Sequence, residues 1–158
     1  TDKDPAMQRV ASAIVFCGLF LAVLAGCDSG TGDLPELVPV SGAVTLDGAP
    51  AAGVNVTFIP IGSTAGGASY GATDAGGKYE LKSNDGRPGA AVGEFKVVCS
   101  KWVMPDGSDY VGVPGGPSPM EAGAKEKLPP KFSEENATTL KASVPAGGGT
   151  IDFDLTTK

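Results

Sequence analysis

The sequence predicts an all-β protein: a single antiparallel β-sandwich of about seven short strands, preceded by an N-terminal signal segment. Three observations carry this expectation. Apolar and polar residues alternate over short windows, the period of a strand with one dry and one wet face. The 24 glycines and 13 prolines make up nearly a quarter of the 158 residues, about twice their usual share of roughly 12%, so turns are frequent. No window carries a helical period. Aromatic residues are only 6% of the chain, so the core must rest on Val, Ile, Leu and a few Phe.

Taken in order, the chain first presents Met7-Gln8-Arg9 and then the uncharged run Val10 to Gly26, "VASAIVFCGLFLAVLAG". A short basic region, an apolar stretch and small residues before the break make a secretory signal. Thr1 to Ala6 read as an upstream extension or a misplaced start. The segment ends Leu24-Ala25-Gly26-Cys27, which resembles the lipobox of bacterial lipoproteins. The resemblance implies lipid transfer to the Cys27 thiol and cleavage between Gly26 and Cys27. Residues 1–26 are then a removed signal peptide, and the mature protein begins with a lipidated cysteine that anchors it to a membrane. An uncleaved anchor and a buried helix are the competing readings, because about 17 apolar residues sit at the lower edge of what spans a bilayer. Two or three acyl chains hold a protein stably on a membrane, whereas one does not. From Cys27 to Leu37 the chain is polar and carries Gly and Pro, the composition of a flexible tether.

The strand candidates follow. Val40, Val44 and Leu46 share a side, and Asp47-Gly48 marks a tight turn. Val54, Val56 and Phe58 alternate with Asn55 and Thr57, and Pro60 closes the run. Tyr70 to Thr73 is short. The turn Asp74-Ala75-Gly76-Gly77 leads into Lys78 to Lys82, with Tyr79 and Leu81 on one face. Glu94 to Lys101 directs Phe95, Val97 and Cys99 one way and Glu94, Lys96 and Ser100 the other. Thr138 to Val144 and Thr150 to Leu155 complete the set. The stretch from Trp102 to Pro130 breaks the pattern with repeated Pro and Gly. Proline fixes φ and removes a ladder donor, so no central strand fits there. A loop this long is expected to be functional or disordered.

Several chemistries are disfavoured. The chain has no histidine, which removes Ser-His and Cys-His nucleophile pairs, His-based metal sites and the usual general base near neutral pH. The net charge of −6, without a basic patch, argues against nucleic acid as a partner. No enzyme, cofactor or metal is expected. Asp47, Asp74 and Asp85 with Asn84 lack the loop spacing of a calcium site and read as turn formers. Asp152 and Asp154 read as a solvated outer face. Cys99 shares the inward face of Phe95 and Val97 and reads as an inert buried thiol. Trp102 and Tyr110 flank the odd loop; with Tyr70 they are the candidate aromatic platform for a sugar, and the competing reading is a Trp that packs against the loop.

The segments "VPVSGAVTLDGAPAAGVNVTFIP", "GATDAGGKYEL", "PGAAVGEFKVVCSK" and "GGGTIDFDL" together resemble the carboxypeptidase regulatory-like domain, over about residues 38–101 and 131–158. The resemblance implies a transthyretin-like, Ig-like sandwich at 38–158, with 102–130 as an uncovered insertion, and it brings no catalytic residues. The transthyretin-like hydrolases use histidines, which are missing here. The function expected is a non-enzymatic envelope lipoprotein whose sandwich is a structural or protein-interaction module. The alternative is a carbohydrate- or peptidoglycan-binding module that uses Trp102 and the 102–130 loop. Either way the domain sits on the periplasmic or outer face of a membrane, and its partner is an envelope protein or glycan.

Overall fold

The computed structural model describes residues 34–113 and 115–157. The signal segment, the cleavage point Gly26–Cys27 and the lipidation site Cys27 lie outside the described residues. The strands are β1 (Leu37–Val38), β2 (Val40–Leu46), β3 (Ala49–Pro50), β4 (Asn55–Pro60), β5 (Ser69–Ala72), β6 (Lys78–Glu80), β7 (Lys82–Ser83), β8 (Ala90–Ala91), β9 (Gly93–Ser100), β10 (Trp102–Val103), β11 (Lys125–Glu126), β12 (Lys141–Val144), β13 (Gly149–Thr150) and β14 (Phe153–Leu155). One helical turn, α1 (Pro130–Ser133), interrupts them. It is too short to leave a helical period in the sequence, and it inserts Phe132 into the core. None of the described helices is long and apolar enough to cross a membrane.

The fold is all-β, as the alternation predicts. One sheet runs β12-β9-β4-β5-β7 and is antiparallel throughout. The second is built around β2, which pairs with β3 and β6 antiparallel and with β13 and β14 parallel. The pleat explains the core. Val56 and Phe58 of β4, Phe95, Val97 and Cys99 of β9, and Val44 of β2 are all fully buried, while their alternating neighbours are not. Phe58 lies 5.6 Å from Phe95 within its own sheet and 6.0 Å from Phe153 of the facing sheet, ring centre to ring centre. Tyr79 stacks on Phe153 at 6.4 Å. Burying each such side chain contributes about 1.5–3 kcal/mol, so this cluster is the main tie between the sheets.

Two candidate strands are subdivided by their partners. Lys78 to Lys82 extends to Ser83 and serves both sheets. Its first half bonds β2 and its second half bonds β5, and between them the Leu81 N–H donates to the Val40 carbonyl at 2.9 Å. The last strand is parallel to β2 and divides at Asp152, whose Oδ1 accepts the Ala43 N–H at 2.8 Å. Gly42 is what permits this pairing. A Cβ there would lie 1.8 Å from the Ile151 carbonyl oxygen. The Asp47-Gly48 turn has φ of 52° and 84°, both in the left-handed region that two-residue hairpin turns require.

The expected strand from Thr138 begins in the ladder only at Lys141. Ahead of it the Thr138 hydroxyl donates to the Val97 carbonyl at 2.7 Å and accepts the Leu140 N–H at 3.2 Å. The Val97 N–H still donates to the Leu140 carbonyl at 3.0 Å, and the Thr138 hydroxyl stands in for the reciprocal backbone bond.

Candidate functional site

The excursion between residues 102 and 130 was the sequence's candidate for function, and local chemistry orders it. Its base is closed by β10 against β11, with Trp102 opposite Glu126 and Val103 opposite Lys125. Glu126 Oε1 accepts the N–H groups of Lys101 and Leu128, both at 2.9 Å, and Leu128 is buried in the main core. Beyond the base, Met104 to Ser108 form a tight turn closed by Met104 N–H to Ser108 carbonyl at 2.8 Å. Asp106 Oδ1 accepts from both the Ser108 hydroxyl and the Ser108 N–H. These two bonds, the hydroxyl foremost, hold the Asp106 carboxyl below its usual range.

The turn brings Trp102 and Tyr110 together: the Tyr110 N–H donates to the Trp102 carbonyl at 2.9 Å. Both side chains are half-buried. The Tyr110 hydroxyl donates to the Pro117 carbonyl, so it holds the loop rather than pointing free. Tyr70 does not join them. It stands on β5, half-exposed, along a groove that neither Trp102 nor Tyr110 lines.

Lys101 is the residue that the alternation did not reveal. Its side chain is only 12% exposed, and its Nζ lies 2.6 Å from Asp109 Oδ1 and donates to the Ala52 carbonyl. It therefore fastens the 102–110 turn to the sandwich. Thr73 is a second such residue. Its buried hydroxyl donates to the Ala51 carbonyl at 2.6 Å and accepts the Val54 N–H at 2.8 Å. A lone Lys at a strand end and a Thr beside a turn carry no sequence signal for these roles.

The acidic candidates do not converge. Asp74 Oδ1 accepts the N–H groups of Gly76 and Lys78 within its own turn. Asp85 accepts from the Arg87 backbone and guanidinium, and the backbone bond leads in keeping its carboxyl low. Asp47 accepts from the N–H and hydroxyl of Thr157. Asp152 and Asp154 are exposed, as an outer face requires, and each also ties the last strand to β2, through Ala43 and Thr45. Cys99 is fully buried, and burial pushes its thiol up to about 12.

These features define a β-sandwich-like all-β domain with an ordered excursion at one end. No family model, curated protein or solved structure matches the chain.

Proposed function

We propose that the chain is a non-enzymatic envelope lipoprotein, anchored through Cys27, whose carboxypeptidase regulatory-like sandwich is a structural or protein-interaction module. The observation that carries this reading is how the chain is divided. Leu24-Ala25-Gly26-Cys27 precedes a compact unit that begins at Leu34. That unit completes a core from Val38 to Leu155 with its own residues. Leu34 is 70% exposed where the chain enters it, and β1 is clipped to β8. A closed body with an exposed entry point suits a tethered module.

The test is fractionation of cells expressing the full chain. Cys27→Ser should move the protein from the membrane fraction to the soluble fraction. A variant that remains both cleaved and membrane-bound would overturn the lipid anchor. Crosslinking in intact envelopes, followed by identification of what is joined to the sandwich, tests the interaction half of the reading.

A further inference from the structure

We infer that the concave outer surface where the two sheets join is a binding site for an uncharged oligosaccharide. The site arises from the strand that changes sheets. Because β6 pairs with β2 and β7 with β5, the outer faces of both sheets run into one another across residues 78–83. Tyr79, Leu81 and Ser83 are buried, and Lys78, Glu80 and Lys82 point out. The result is a groove of about 1450 Å³, above the roughly 300–1,000 Å³ of small-ligand pockets and sufficient for several sugar rings.

The strand register places the lining. Lys82, Tyr70 and Thr57 form one cross-strand row on the first sheet, and Asn55 stands next to it, opposite Ala72. Glu80 and Ser41 face each other on the second sheet. Tyr70 is 49% exposed, which leaves an aromatic surface open beside polar groups. None of these side chains is held by an intramolecular hydrogen bond or ion pair among the described residues, in contrast to the turn carboxylates Asp74 and Asp85.

The chemistry selects the occupant. Asp74, Glu80 and Asp152 nearly balance Lys78 and Lys82 along the groove, so neither a polyanion nor a polycation is favoured. β6 pairs only with β2, and Gly71–Ala72 of β5 only with β4, but the two backbones lie close together, a Cβ on Gly71 falling 2.7 Å from the Glu80 carbonyl oxygen, so a peptide strand has no room to add between them. The only large hydrophobic ring opened to solvent here is that of Tyr70, too little for the apolar stripe of an amphipathic helix. A neutral polyhydroxyl chain fits what remains. Its hydroxyls both donate and accept, matching an amide, hydroxyls, ammoniums and carboxylates, and its C–H faces can lie on the tyrosine ring. The site is distinct from the Trp102 surface and does not rest on the lipid anchor.

The test is calorimetric titration of the full chain, in detergent micelles, with cellotetraose, chitotetraose and maltotetraose. At least one should bind. Tyr70→Ala should weaken it by about tenfold or more, while Tyr70→Phe stays within about threefold. Trp102→Ala and Cys27→Ser should leave the affinity unchanged. If Tyr70→Ala alters the melting temperature, Asn55→Ala at its exposed position provides the same reading through a loss of affinity. Failure of all three sugars to bind overturns the proposal. So does binding that survives Tyr70→Ala, or that is abolished by Trp102→Ala.

Discussion

The sandwich core and the 102–130 excursion belong to one chain but are held by different forces. In the core, fully buried Phe58, Phe95, Val97 and Leu81 meet across two sheets, and non-directional apolar burial does most of the stabilising. In the excursion, Val111, Val113 and Met120 remain largely exposed. Order comes instead from short-range polar bonds: Asp106 to Ser108, Ser118 to Glu121 through both hydroxyl and N–H at 2.7 Å, and Lys101 to Asp109. Each such bond is modest in net terms, because it replaces a bond to water. Thus a long Pro/Gly-rich segment need not be either buried or structureless. It needs its turns closed one at a time and its base fastened to something already folded.

Truncating the core tests that contrast most severely. Phe95→Ala should destabilise the whole domain by about 3–5 kcal/mol, read as a lower urea midpoint with a single transition. Gly42→Ala should cost about 1–3 kcal/mol, because the added methyl collides with the Ile151 carbonyl; amide exchange should accelerate first in residues 149–155. Lys101→Met attacks the other region. Its partner Asp109 is more than a third exposed, so the global cost should be about 1 kcal/mol or less. Amides from residue 102 to 110 should lose protection while those of β4 and β9 keep theirs. A global loss comparable to Phe95→Ala would show that the two regions are a single cooperative unit.

The pH dependence sharpens the same comparison. Asp106 and Glu121 have carboxyls held low, chiefly by the Ser108 and Ser118 hydroxyls and then by their N–H groups. The bonds are present above the ordinary carboxylate range and are lost as pH falls through the lowered folded values. Amide signals of Ser108 and Ser118 should therefore shift in acid before those of β9. The core responds at the opposite end. Burial raises Cys99 from 9.0 to about 12, so its contribution is complete below the ordinary thiol value and fades as pH rises between the two. Unfolding midpoints between those pH values should fall less steeply in Cys99→Ala than in the parent chain.

Much of the sandwich was legible in the chain. Glu94 to Ser100 alternates because each inward side chain in β9 faces a packed sheet and each outward one faces water. That parity alone places Cys99 in the core. The turns at Asp47-Gly48 and Asp74 to Gly77 were equally plain, since their conformations favour particular residue types. Lys101, Thr73 and Thr138 were not legible. Each acts through a hydrogen bond to a backbone group elsewhere in the chain, and no spacing in the sequence encodes that distance. Tyr70 was visible only as an aromatic candidate, grouped with Trp102 and Tyr110, from which the fold separates it.

The sequence by itself determined which residues point inward, where the chain turns and where strands give way to an excursion, because side-chain parity and turn chemistry are local. Tertiary structure alone decided that the last strand runs parallel to β2, that residues 78–83 are shared between two sheets, and that Glu126 and Lys101 close the excursion. Those outcomes depend on which backbone groups meet across long separations. Alternating side chains fit a parallel or an antiparallel neighbour equally well, so only the assembled sheets can choose between them.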